Sequence, residues 1–134
     1  MTVVTRRETF CAAHRLFNPA WTDAMNEEVY GACSRASWHG HNYELEVSVE
    51  GDIDPETGFL VNLKLLRDII REEVVSKLDH RNLNTDVDFL AGVVPTAENI
   101  AMAVWRRLEN KIPSGRLCCI RLRETENNVV EYRG

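Results

Sequence analysis

The sequence has no apolar run near the roughly 18–20 residues that span a bilayer, so no membrane segment is expected. Two arginines, Arg6 and Arg7, stand where a signal peptide would carry its apolar core, so export is not expected either. There is no CxxC pair. The four cysteines are Cys11, Cys33, Cys118 and Cys119, and the adjacent two are not expected to bridge each other. Free thiols in a reducing, cytoplasmic setting are the expectation. The seven glycines form neither GxGxxG nor a Walker-A loop, which argues against a dinucleotide or nucleoside-triphosphate site. Basic residues are not in excess. Sixteen Lys and Arg against 21 Asp and Glu give 16 − 21 = −5, and no nucleic-acid footprint is visible. An anion would have to be held by a few local Arg or Lys side chains. Repeats, linkers and low-complexity segments are absent.

What is present describes a single domain over residues 1–134, with 44 % hydrophobic and 28 % charged residues, a balance that excludes disorder and coiled coil. Residues 3–12 predict a strand, with β-branched Val3, Val4, Thr5 and Thr9 before Phe10. Residues 18–38 read as irregular. Residues 43–50 give the clearest strand: Tyr43, Leu45, Val47 and Val49 alternate with Glu44, Glu46, Ser48 and Glu50, one face apolar and the other acidic. Residues 51–58 predict a turn around Asp54-Pro55. Asn62 caps a helix over 63–78, with Leu63, Leu66, Ile70 and Val74 at helical spacing and Leu65 and Ile69 widening the stripe. Thr96 caps a second helix running to about Lys111, ended by Pro113 and Gly115. Strands follow over 117–124 and 129–133, with a turn over 125–128. The order predicts an α+β fold: a four-stranded antiparallel sheet with two helices on one face.

All four histidines carry weight. His39 and His41 are two apart at the start of the 43–50 strand, so their rings point the same way. They share parity with Tyr43 and Leu45 and therefore face the core. His14 shares parity with Phe10 and Ala12, and pairing of the two strands would supply a third imidazole. Three neutral imidazoles with an open fourth position describe a catalytic zinc site. The plain alternative is a pair of ordinary strand histidines. Cys11 is a rival ligand, but three residues from His14 on a strand it faces the other way. Cys33 lies in the loop YGACSRASWHGH, where a nearby metal and Arg35 would favour a thiolate; otherwise it is a small buried residue. Cys118, in line with Ile120 and Leu122, is assigned to the core. Asp79-His80 can fix a tautomer and move a proton, or be a polar helix end. Glu124 ends the strand face of Cys118, Ile120 and Leu122. There a carboxylate needs hydrogen-bond donors such as a guanidine-like heterocycle edge, unless the strand frays into water. Glu98 lies in a helix first turn, where it also complements the dipole.

FCAAHRL at 10–16, Cys33 with HGHNY, LDHRNLN at 78–84, PTAEN at 95–99 and RETENN at 123–128 occur in this order, and the chain resembles the 6-pyruvoyl-tetrahydropterin synthase family, which includes the 6-carboxy-tetrahydropterin synthases of queuosine biosynthesis. The resemblance implies a tunnelling fold, in which trimers close a barrel of twelve strands and two trimers stack into a homohexamer. It implies zinc on His14, His39 and His41, and a catalytic Cys33, Asp79 and His80 assembled across a subunit interface. Glu124 would anchor the pterin ring, with Thr96 and Glu98 lining its pocket. The implied reaction turns 7,8-dihydroneopterin triphosphate into 6-pyruvoyl-tetrahydropterin with elimination of triphosphate. Five residues separate Cys33 from His39, a spacing like that of the pyruvoyl-forming enzymes; the queuosine enzymes usually have CxxxHGH. A 6-carboxy-tetrahydropterin synthase is the alternative, and a zinc-stabilised oligomeric binding module without turnover a remoter one. Cys33 and the Asp79-His80 pair argue against the last, since a structural metal needs neither.

Overall fold

Strands β1 (Thr2–His14) and β2 (His39–Gly51) pair antiparallel along their whole length in the computed structural model, which describes residues 1–134. Strand β4 (Arg116–Arg123) joins the other edge of β2, and β5 (Val129–Tyr132) joins β4, both antiparallel. A fifth strand corrects the expected four. The two-residue β3 (Arg81–Asn82) runs parallel to β1 against Ala12 and Ala13, giving the order β3-β1-β2-β4-β5. The sheet is open, not closed on itself.

The apolar parity of β2 becomes the core. Tyr43, Leu45, Val47 and Val49 are fully buried, with Phe10 and Ala12 beside them on β1. The second of the two expected helices is α4 (Ala97–Leu108), whose Thr96 hydroxyl accepts from Asn99 N–H at 3.2 Å. The first begins as α2 (Leu63–Ile70), capped as predicted by Asn62, whose side-chain oxygen accepts from the amides of Lys64 and Leu65. It then widens into a π turn over Arg71–Val75 and closes as α3 (Ser76–Leu78). Leu66, Ile70, Val74 and Leu78 are fully buried, each contributing roughly 1.5–3 kcal/mol of apolar burial. Leu63 and Leu65 leave the predicted stripe, at 48 % and 47 % exposure, because they lie on the outer side of the first turn. No helix is long and apolar enough to cross a membrane.

Two further expectations change. The stretch 18–38 holds helix α1 (Asp23–Tyr30), capped by the Thr22 hydroxyl. The only residue it buries is Asn26, whose amide clasps Asn18, so it carries no apolar stripe to announce it. The acidic face of β2 stays off the core, as expected, and is balanced by arginines. Arg7 and Arg123 reach Glu44, Arg121 reaches Glu46, and Arg116 reaches Glu50. Cys118 is not a core residue. A β-bulge at Ser48/Val49 shifts the β4 register, so Leu117 takes the buried place and the Cys118 thiol donates to the Ser48 carbonyl at 3.3 Å.

Two left-handed glycines separate backbone strain from crowding. Gly58 has φ of 74°, and a Cβ added there would meet nothing within 4 Å, whereas at Gly115, φ 71°, a Cβ would meet Glu50 O at 2.6 Å. Gly58→Ala should cost about 1–2 kcal/mol, the left-handed penalty alone. Gly115→Ala should cost clearly more in urea unfolding, and equal losses would show that the turn relaxes away from the β2 backbone.

Candidate active site and metal centre

The β1–β2 register sets His14 opposite His39 and Ala12 opposite His41. All three imidazoles therefore emerge on the core face at one end of the ladder. Their ring centroids lie 4.5, 4.9 and 5.0 Å apart, and their donor nitrogens all fall within 4.8 Å of one another. His14 Nδ1 lies 2.9 Å from the Pro95 carbonyl, which can only accept, so that nitrogen carries the proton and Nε2 is left as a lone pair. The Nε2 atoms of His14, His39 and His41 are each buried without a hydrogen-bond partner. Buried nitrogens in that state are uncommon in a folded core, and here three of them converge. The residues present fit a metal ion that takes neutral nitrogen donors. Burial, before the repulsion between the rings, lowers His14 to about 4, and the same cause lowers His39. His14 and His39 are therefore uncharged at neutral pH, the form that ligates a metal.

Glu124 follows β4 and points at the imidazoles, with carboxylate oxygens 4.0 Å from His14 Nε2 and 3.9 Å from His41 Nε2. That is Coulomb range rather than hydrogen-bonding range, and it leaves the carboxylate free to meet a ligand. Glu124, Thr96 and Glu98 line one cavity of about 460 Å3, with Leu16, Tyr30 and Asn128 around them. The three residues expected around a heterocycle thus share one hollow beside the histidines. Thr96 also serves as the α4 cap, so its position is fixed by the helix it starts.

The remaining pair stands elsewhere. Asp79 Oδ2 lies 2.9 Å from His80 Nδ1, and Asp79 Oδ1 accepts from Cys11 N–H at 2.9 Å. That backbone hydrogen bond, followed by the one to His80, holds the Asp79 carboxyl below its ordinary range. His80 has φ of 58°, a left-handed backbone pinned by its own N–H donating to the Cys11 carbonyl at 2.7 Å. Cys11 pairs with Asn42 in the ladder, so it faces away from the three imidazoles, as its parity predicts. Its thiol groups instead with Asp79 and His80. Cys33 belongs to neither cluster. It sits half-buried in the 3-10 turn Gly31–Ser34, whose Cys33 carbonyl accepts from Leu16 N–H at 2.8 Å and ties the loop to the chain just past His14. The Pro95 carbonyl and the meeting of Cys11 with Asp79 and His80 are what residue patterns did not reveal. A backbone carbonyl leaves no side-chain signature, and the contact of Cys11 with Asp79 spans 68 residues.

The profile of the 6-pyruvoyl tetrahydropterin synthase family matches residues 3–134. This chain belongs to that family. A 6-pyruvoyl tetrahydrobiopterin synthase from Pongo abelii is 44 % identical over 131 residues, 98 % of this chain and 90 % of that protein. The structure of the Caenorhabditis elegans 6-pyruvoyl tetrahydropterin synthase superposes with a TM-score of 0.92 at 36 % identity, covering 100 % of this chain and 97 % of that one. A dihydroneopterin monophosphate aldolase from Pyrococcus furiosus is 36 % identical over 107 residues, 80 % of this chain and 75 % of that protein. The His14, His39 and His41 group can hold a metal ion, as suits a metalloenzyme family.

The buried imidazoles make a pH prediction for the metal-free protein. His14 titrates at about 4 in the folded chain against 6.5 when unfolded, so between those values the unfolded state binds more protons. Its stabilising contribution is complete above about 6.5 and is lost as pH falls through about 4. Melting temperature should drop over that span, and His14→Gln should flatten the drop. An unchanged slope in the variant would assign acid sensitivity to other groups.

Proposed function

We propose that this chain is a zinc-dependent 6-pyruvoyl-tetrahydropterin synthase, converting 7,8-dihydroneopterin triphosphate to 6-pyruvoyl-tetrahydropterin with elimination of triphosphate. The observation that carries the reading is three converging, unpartnered Nε2 atoms in a chain that matches the family from residue 3 to residue 134. His14, His39 and His41 would hold zinc, a donor set that leaves one coordination position for substrate oxygen. When bound, the ion supplies Lewis-acid polarisation of the substrate side-chain oxygens. Glu124 accepts the ring N–H donors of the pterin, with Thr96 and Glu98 at the walls. Cys33, as thiolate, takes a side-chain proton. His80, oriented by Asp79, moves the second. The pterin ring is reduced at the expense of its own side chain, so no external electron carrier enters. The spacing of Cys33 from His39 favours the pyruvoyl over the 6-carboxy product, and the higher identity and coverage of the tetrahydrobiopterin synthase favours it over side-chain cleavage.

The same reading requires a second chain. Asp79 and His80 sit with the Cys11 thiol, on the opposite face of the ladder from the three imidazoles and apart from Cys33. Cys33 of one chain would meet Asp79 and His80 of its neighbour. The sheet offers the edges for this: β1 is covered by β3 at Ala12 and Ala13, which leaves its first half open, and β5 ends the other side. Edge-to-edge closure into a trimer, and two trimers into a homohexamer, satisfies both. Light scattering should therefore report a hexamer; a stable monomer at micromolar concentration would remove the shared site.

Turnover is tested with 7,8-dihydroneopterin triphosphate, following triphosphate release and identifying the product by mass spectrometry. The 6-pyruvoyl product is expected, whereas a carboxy or side-chain-cleaved pterin would overturn the assignment. Cys33→Ala should keep zinc and lower the rate on the order of 10²–10⁴-fold, the usual loss of a general base. Near wild-type turnover in that variant would exclude Cys33. His39→Ala should lose both metal and activity.

A further inference from the structure

A second group of metal-ligating side chains lies outside the three-histidine centre. Cys11, Asp79 and His80 each offer one donor atom, and these atoms all lie within 4.8 Å of one another. The group is held by its backbone. Cys11 N–H donates to Asp79 Oδ1 at 2.9 Å, His80 N–H donates to the Cys11 carbonyl at 2.7 Å, and Asp79 Oδ2 lies 2.9 Å from His80 Nδ1. None of these contacts uses the Cys11 sulfur. Together with Arg81, Asn82 and Asp86, Cys11 and His80 line a cavity of about 640 Å3, and in the single chain the His80 ring is 79 % exposed, so an ion can enter from the cavity side.

We propose that Cys11, Asp79 and His80 form a second, weaker site for a thiophilic divalent metal such as zinc, and that filling it inhibits the protein. Thiolate, imidazole and carboxylate, with one water, complete a four-coordinate shell that zinc accepts. Binding requires the Cys11 thiol to release its proton to solvent and the Asp79–His80 contact to open. The three-histidine centre needs neither, since its Nε2 atoms have no partner to give up. It therefore fills first. The inhibitory consequence rests on the reading proposed above, because a metal on His80 and Asp79 occupies the lone pairs that would move the second proton. The site itself rests only on the cluster.

Cobalt(II) distinguishes the two centres, since a thiolate ligand adds a near-ultraviolet charge-transfer band that imidazoles lack. Titration of the intact, metal-stripped protein should give a first equivalent without the band and a second with it. Cys11→Ser keeps the backbone N–H that holds Asp79. It should lose the band and weaken the second equivalent by at least about tenfold, since loss of even a supporting partner weakens metal sites on that scale. Cys33→Ala should keep the band. One equivalent only, a band that survives Cys11→Ser, or a band lost in Cys33→Ala would each overturn the site. In turnover assays, excess zinc should inhibit the wild type, and Cys11→Ser should need at least about tenfold more zinc for the same inhibition. Equal inhibition of both would overturn the inhibitory role, while inactivity of both would bear on the proposed reaction and leave the cobalt result to decide the site.

Discussion

The antiparallel ladder between β1 and β2 is the constraint on which the rest depends. It runs from Thr2 opposite Gly51 to His14 opposite His39 without interruption. A slip of one residue would turn every side chain of one strand to the other face, scattering the imidazoles. Several contacts prevent it. On the core face Phe10 and Tyr43 stack at 4.8 Å with an interplanar angle of 14°. On the polar face Thr5 and Ser48 share a hydrogen bond at 2.8 Å, and Arg7 reaches Glu44. The meeting of the three imidazoles is thus a by-product of register: once Phe10 meets Tyr43, His14 must meet His39.

The same register decides what the ladder cannot do. Odd positions of β1 face the polar side, so Cys11 and the Asp79–His80 pair that closes on it are kept from the three imidazoles. That side is filled by matched charge. Glu44 of β2 stands between Arg7 of β1 and Arg123 of β4, while Glu46 and Glu50 pair with Arg121 and Arg116 of β4. These pairs are half exposed and each contributes little to stability, on the order of 0–1 kcal/mol. Their effect is to neutralise the acidic side of β2. One chain therefore carries two clusters of metal-ligating side chains, one on each face of the strand pair.

Much of this was legible from residue order because the relevant signals are local and periodic. Alternation over 43–50 and the parity of His39, His41 and His14 predicted both the core face and the meeting of the imidazoles. Asn62 and Thr96 announced their helices through capping chemistry. What escaped had no period to read. Helix α1 buries only Asn26, and its one signal was Thr22 three residues before Met25. Strand β3 is two residues long and exists through its pairing with Ala12 and Ala13. The β-bulge that exchanges Leu117 for Cys118 depends on how β4 meets β2, which alternation in one strand cannot express. The left-handed turn at His80 is likewise a tertiary effect, imposed by the hydrogen bond to the Cys11 carbonyl.

The two sets also differ in the physics that holds them. Leaving three imidazole nitrogens buried and unpaired costs roughly 1–3 kcal/mol each. A deep ladder backed by the core can bear that cost, and a bound ion would reverse it. The Asp79–His80 pair has the opposite character. It is hydrogen-bonded, largely exposed, and sits on a strained residue at the end of a helix that has already widened into a π turn over Arg71–Val75. Rigidity suits groups that must hold an ion in one geometry. An exposed pair held by a locally strained backbone can instead change partners without disturbing the core. The division of the sheet into a dry face and a charged one therefore also separates three unpaired imidazoles from a hydrogen-bonded, exposed pair.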